Sequence, residues 1–337
     1  MGNANSGLPY DEGAKLEYAS HWALSEGTKR TPEADKVCIL KFDKTQKDKK
    51  DIAMRNFSKM RTLKHPGCLP YIDGVDLETA LVIVTEPCVS LEAWMKAKLA
   101  EKDDRSLGRT NADFNTSITQ EITWGIKCIL NALHFLHTAN MAHGYLSPNA
   151  IFVMPNGDWK LGAFELTCNL SIPEDESFFK RSNMCLGNPY LSPERNNIDR
   201  GDILFRNAFG VVDIWALAQC IESIYGTFQM PVPPAYGKYM DKMSSVEYRK
   251  RPSAKQLLTC ALLTTEYIKL LESLGKNALN SLQDAVNTMG NVISHITSIP
   301  PFLCVYKVLP TIVQSLSMCI RDFQQRDARE ACRQTVS

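Results

Sequence analysis

The sequence has eleven cysteines but no C-x-x-C step, and its other absences are equally informative. An odd number of scattered cysteines argues against a zinc site or a disulfide framework and for buried or free thiols in a reducing compartment. No apolar run reaches the length of a membrane-spanning helix. The first ten residues are polar and lack the apolar centre of a secretory signal. An excess of one charge is missing too: 38 Lys and Arg face 37 Asp and Glu, for a net charge of +1. No bulk field therefore points to nucleic acid or a membrane surface. The remaining composition, 44% hydrophobic and 22% charged over 337 residues, is that of a globular chain. It suffices for one two-lobed domain with an extra piece, or for two domains.

The most informative stretch is His143 to Val153, HGYLSPNAIFV. A long amphipathic segment, Ile118 to Thr138, precedes it, and a turn at Asn156-Gly157 leads to a short strand ending in WKLGAFE. This order resembles the catalytic loop and the metal-binding loop of a protein kinase, which read H-R-D-L-x-x-x-N and D-F-G. The frame is kept and the chemistry is not. Tyr145 stands at the catalytic Asp, Ala150 at the metal-binding Asn, and Ala163 at the metal-binding Asp, before Phe164 and Glu165. Phosphoryl transfer depends on positioning and charge, and its metal ions need oxygen ligands. A methyl group offers none. A tyrosine hydroxyl, with a reference pKa about 10, is a poor base near neutrality.

Residues 8–92 read as a small lobe of strands and one helix. His21 to Leu24 is a weak strand, Glu26-Gly27 a turn, and Thr28 to Asp35 a polar segment. Lys36 to Asp43 is a strand, Ile52 to Lys64 a helix, and Leu69 to Gly74 and Ala80 to Glu86 are strands before a hinge at Glu86-Pro87. No G-x-G-x-x-G precedes Val37, so no glycine loop can fold over phosphates. Leu40 occupies the place of the nucleotide-binding Lys. Lys41 follows on the opposite strand face and substitutes only if the register slips by one. Counting back ten residues from Pro66 puts Asn56 where the kinase helix carries its Glu. Lys41 and Glu86 are the candidates for whatever nucleotide contact survives.

Residues 93–265 read as a helical large lobe: a short helix from Leu91 to Leu99, an exposed loop from Ala100 to Asn115, then the long helix. The run GNPYLSPE ends an activation-like segment at Glu194, VVDIWALAQCIESIY carries Asp213 and Trp215, and KRPSAKQLL supplies Arg251. His143, Phe164, Glu194, Asp213, Trp215 and Arg251 are thus the structural set, with Glu194 and Arg251 as a buried pair. The fold class expected is α+β, a bilobal kinase-like domain over 8–265. A helical, HEAT-like segment over 266–325 and a polar tail over 326–337 follow it. Pro310 is placed near a helix start. Residues 1–7 include Gly2 and Ser6 of an N-myristoylation pattern.

A narrower resemblance rests on HPGCLPYIDGVDLETALVIVTEPCVSLEAWMKAKL, GDWKLGAFE and HWALSEGTKR. These runs resemble the Scy-like (SCYL) family of pseudokinases. That resemblance implies a catalytically inactive scaffold in Golgi or ER membrane traffic, with trafficking proteins as partners. It also implies a cytoplasmic or peripheral Golgi location, contact with membranes through a myristoyl group on Gly2, and no required cofactor. The alternatives are a weak or atypical ATP-binding kinase using Lys41, Asn149 and Glu165 one place out of register, and a transfer-RNA export adaptor. Against the last, the Lys47–Lys50 cluster is interrupted by Asp48, so nucleic acid is not an expected partner.

Overall fold

The computed structural model describes residues 7–103, 108, 110–169, 171–172, 174–175, 177–178, 189–196, 210–277, 282–317, 320–321 and 324. Gly2, most of the activation-like segment and the tail 326–337 lie outside them.

The small lobe is a five-stranded antiparallel sheet in the order β1-β2-β3-β5-β4. Its strands are β1 (Tyr10–Leu16), β2 (Ala23–Lys29), β3 (Lys36–Asp43), β4 (Tyr71–Asp76) and β5 (Ala80–Thr85). Helix α1 (Lys50–Thr62) lies between β3 and β4. Strand β3 shows how the two faces are used. Cys38, Leu40 and Phe42 enter the main core, while Val37 and Ile39 join Tyr10, Val82 and Val84 on the outer face. The Glu26-Gly27 step is not a turn. It lies inside β2, paired with Cys38 and Val37 of β3. Packing is close there: a Cβ on Gly27 would meet Ile39 Cδ1 at 2.8 Å and Val37 Cγ2 at 3.0 Å, so those side chains would have to shift. The chain reverses instead over Arg30–Asp35, where Ala34 takes φ 49°.

A hinge strand β6 (Val89–Ser90) leads to α2 (Leu91–Asp103) and to α3 (Asn111–Thr138), 28 residues long. The expected loop over 100–115 is therefore shorter than the sequence suggested. Thr110 Oγ1 accepts the Asp113 N–H at 3.1 Å, and Asp113 Oδ2 accepts the Thr110 N–H at 3.2 Å. This reciprocal cap starts α3 two turns before its apolar stripe begins. Strands β7 (Met141–Ala142), β8 (Ile151–Val153), β9 (Trp159–Leu161) and β10 (Cys168–Asn169) carry the loops of the site. Helices α4 (Pro193–Asn196), α5 (Gly210–Thr227), α6 (Pro234–Met243) and α7 (Ala254–Leu257) complete the large lobe.

The C-terminal helices cap this lobe. They are α8 (Glu266–Asn277), α9 (Leu282–His295) and α10 (301–317). Ile268, Leu271, Leu274, Val292, Leu303 and Val308 form one buried cluster with Trp124 of α3. Asp158, in the turn before β9, accepts from Trp124 Nε1 at 2.9 Å and from Lys307 Nζ at 2.7 Å. Pro310 falls inside α10 and not at its start. A π turn at Cys304–Val308, closed by the Leu309 N–H on the Cys304 carbonyl, changes the helix geometry just ahead of the proline.

Because this cluster joins the cap to α3, the cap and the large lobe should unfold together. Leu271 is 1% exposed, and Leu271→Ala is expected to cost about 2–5 kcal/mol. Thermal unfolding of the whole domain should shift downward in a single transition. A main transition that stays in place while a minor one appears would show that the cap folds separately.

Candidate functional site

The loop after β7 is ordered by a buried carboxylate. Asp213 of α5 accepts the His143 N–H at 2.8 Å, the Gly144 N–H at 2.9 Å and His137 Nε2 at 2.9 Å. Burial alone would raise its carboxyl. The bond to and charge of His137 and the Gly144 N–H hold it below the ordinary Asp value. His143 is fully buried. Its Nε2–H donates to the Gly162 carbonyl at 2.9 Å, its Nδ1 accepts the Tyr145 N–H, and its ring meets Phe164 edge-on at 5.4 Å. Glu194 and Arg251 form a bidentate pair, Nη1–Oε1 2.6 Å and Nη2–Oε2 2.8 Å, with the guanidinium also 5.0 Å over the Trp215 ring. Trp215 Nε1 donates to the Pro189 carbonyl at 3.1 Å. These residues hold the loop, the Pro189–Glu194 stretch and α5 in one piece.

The positions that would perform transfer are filled otherwise. Tyr145 lines a cavity of about 530 Å³ with Glu92, Lys96, Asn149 and Tyr190. Ala150 is fully buried, and Ala163 sits in a left-handed conformation, φ 53° and ψ 57°. Neither methyl can ligate a metal. Asn56 takes a different role from the ion-pairing Glu it replaces. It is 2% exposed, and its Oδ1 accepts the Phe164 N–H at 2.9 Å, so α1 is fastened to the Phe164 turn by a neutral bond. Leu40 faces the core with Phe42. Lys41 corrects the register-slip expectation: it points to the outer face, where its Nζ lies 3.6 Å from Glu12 Oε2. Strand alternation, pinned by burial of Leu40 and Phe42 on one side, sends it there. The Glu86 side chain is exposed, and its carbonyl accepts Thr85 Oγ1–H. At the hinge, the Cys88 N–H donates to Cys38 Sγ at 3.3 Å and the Cys38 thiol donates to the Cys88 carbonyl at 3.2 Å. Cys88 thus spends its backbone donor and acceptor inside the protein.

The loop between β1 and β2 lies across the cleft. The Glu17 carbonyl accepts Ser90 Oγ–H at 2.9 Å, and its carboxylate pairs with Lys96. The Tyr18 hydroxyl donates to the Asn149 carbonyl at 3.1 Å, and its ring lies 5.3 Å from Phe152 on β8. Trp22 is 1% exposed and packs 5.6 Å from Phe42, with His21 edge-on to the same ring at 5.7 Å. Beneath them is Glu165, 1% exposed, with His21 Nε2 at 3.6 Å. Glu165 is therefore neither solvated nor free to serve a shifted metal site. Burial pushes its carboxyl up to about 7 and holds the His21 imidazole down at about 4, with Lys49 adding to the latter. The sequence showed that glycine was missing from this loop. The aromatic residues in HWALSEGTKR are the sequence signal that the space is filled.

The fold family implies ATP and magnesium, and these residues do not fit either. The metal ligands are methyl groups, the Lys position is Leu40, and Tyr18 and Trp22 occupy the roof of the cleft. Among the described residues no group of three or more His, Cys, Asp or Glu could hold a metal ion.

Residues 27–274 match the family described as Protein kinase domain. The chain belongs to the protein kinase family. Its relatives there include proteins named as inactive or Scy1-like. The chain is 26% identical over 329 residues, 94% of its length, to "Probable inactive serine/threonine-protein kinase scy1" of Dictyostelium discoideum, covering 38% of that protein. It is 27% identical over 192 residues to mouse "SCY1-like protein 2", covering 51% of this chain and 20% of that one. Mouse "Protein-associating with the carboxyl-terminal domain of ezrin" is 20% identical over 284 residues, 82% of this chain and 35% of that protein. The chain thus spans about two fifths or less of these relatives. It is a pseudokinase similar to Scy1-like proteins, with a kinase-like domain that lacks the catalytic residues.

Two outcomes are expected. Folded Glu165 keeps its proton to about pH 7, whereas an unfolded carboxyl releases it near 4.5. The group's stabilising contribution is complete below pH 4.5 and is lost as pH rises to 7. Wild type should therefore lose about 3 kcal/mol relative to Glu165→Gln over that window. A difference that stays constant from acid to neutral pH, measured by denaturant titration, would contradict the assignment. For the Glu194–Arg251 pair, with side chains 8% and 0% exposed, Arg251→Met should cost about 3–5 kcal/mol by stranding a buried charge. Glu194→Leu/Arg251→Met should recover part of that loss.

Proposed function

We propose that this pseudokinase is a non-catalytic scaffold acting as an adaptor in intracellular membrane traffic, held to Golgi or ER membranes partly by an acyl group on Gly2. The observation that carries the scaffold reading is the loop Glu17–Trp22 fastened across the cleft. A site filled by Tyr18, His21 and Trp22 leaves the surface as the part available to partners. The trafficking part is supported by the likeness to Scy1-like proteins and by the MGNANS start. One myristoyl chain gives weak, reversible membrane binding, so a protein partner supplies the second contact.

The test is the distribution of the tagged chain between membrane and soluble fractions. Wild type should partition to Golgi or ER membranes, and Gly2→Ala should move it into the soluble fraction. Equal distributions for the two would remove acylation from the account. A wild-type chain absent from these membranes would remove the trafficking role.

A further inference from the structure

A cavity of about 690 Å³ opens where the cap helices meet the kinase-like body. It is lined by the His65–Gly67 turn ahead of β4, one face of α3, the turn into β9, and helices α8 and α10. Its volume is that of a pocket for a small organic molecule. On α3 the lining residues Trp124, Cys128, Asn131, Phe135 and Thr138 recur at steps of four and three, so they share a face. The His65 imidazole stacks on Phe135, 4.5 Å between centroids and 11° between planes. With Trp124 and Leu271 these rings give the cavity flat apolar walls.

The charged groups around those walls are unbalanced. Lys307 of α10 pairs with Asp158 at 2.7 Å, and Lys160 of β9 lies 3.8 Å from the same carboxylate. The two lysine side chains are only 13% and 15% exposed. Asp158 also accepts Trp124 Nε1–H. Glu272, the other carboxylate of the lining, is engaged by Lys127 at 3.3 Å. Among the described residues, Lys127, Lys160 and Lys307 thus face Asp158 and Glu272, which leaves one positive charge over. That surplus sits against walls of low dielectric, where an anion is held more strongly than at an open surface. An ammonium has three N–H groups. Lys307 spends one on Asp158 and Lys160 one on the Pro66 carbonyl, so both keep donors for a ligand. Asn131 and His134 add further polar atoms to the lining.

We propose that this cavity binds a small amphipathic anion. Its acid head, a carboxylate or phosphate, is held by Lys160 and Lys307, and its flat apolar body lies against Trp124, Phe135 and Leu271. Lys307 and Leu271 belong to the cap, while Lys160, Trp124 and Phe135 belong to the kinase-like body, so the ligand fastens one to the other. The site shares no lining residue with the cavity beside Tyr145, and it does not depend on the trafficking role.

The experiment is a fluorescence titration of the full chain with anilinonaphthalene sulfonate, an aromatic anion, beside its neutral counterpart phenylnaphthylamine. Wild type should bind one sulfonate probe about tenfold or more tightly than the neutral one, through charge-assisted hydrogen bonds. Naphthoate or naphthyl phosphate should displace it, and the one acting at lower concentration names the head group. Lys160→Met should weaken binding by about tenfold, and Lys160→Arg should restore it. Asn131→Trp, which fills the cavity, should abolish binding while the melting temperature stays near that of wild type. If that variant does not fold, the Lys160→Met and Lys160→Arg pair decides alone. Equal affinity for the neutral probe overturns the anionic part of the proposal. A loss that Lys160→Arg does not restore overturns the role of Lys160. Binding left intact by these substitutions, no saturable binding to wild type, or displacement by neither acid overturns the site itself.

Discussion

The buried contact between the loop Glu17–Trp22 and the floor of the cleft is the constraint on which the rest of the site depends. Trp22 and His21 pack on Phe42 from above, and Glu165 lies sealed beneath them. Tyr18 and Glu17 reach the large lobe through Asn149, Ser90 and Lys96. A glycine loop must stay mobile and thin to admit phosphates. This loop is bulky and fastened at both lobes. The neutral bond from Asn56 to the Phe164 N–H and the thiol bonds across the hinge act in the same direction, each replacing a group that would respond to a ligand with one satisfied by the protein itself.

Loss of catalysis did not require loss of the kinase architecture, because the two sets of residues do different physical work. Asp213 satisfies buried N–H groups of a loop, and Arg251 neutralises Glu194 in a site closed to water. Removing either partner would leave buried polar groups unpaired, at a cost comparable to much of a domain's stability. A ligand for an absent metal carries no such obligation. Ala150 and Ala163 simply pack. Glu165 is the exception, a buried carboxyl with no hydrogen-bond partner within ordinary limits among the described residues. It remains in the core by retaining its proton up to about neutrality.

Much of this was legible in the sequence because period and spacing carry it. The long helix, strand Lys36–Asp43 and the catalytic-loop frame all follow from apolar periodicity and fixed motif distances. Tertiary effects decided the rest. Gly27 looked like a turn residue and is a close-packing site within β2. Asp113 started α3 early through a cap that does not carry the usual Glu. Pro310 is accommodated inside a helix by the π turn at Cys304–Val308 just ahead of it, which the sequence pattern does not signal. Glu165 reads in the sequence as a candidate one place out of register, because the sequence does not say which residues lie above it.

The central claim is that the cleft is closed by the protein's own side chains. Its most direct test is the melting temperature of the purified chain with ATP, with and without magnesium. A ligand at a hundredfold excess over its dissociation constant stabilises the folded state by about 2.7 kcal/mol. A cleft closed in this way gives no shift at millimolar nucleotide in either condition. A rise of several degrees, above all one that requires magnesium, would mean that the loop Glu17–Trp22 lifts to admit nucleotide, and would contradict it.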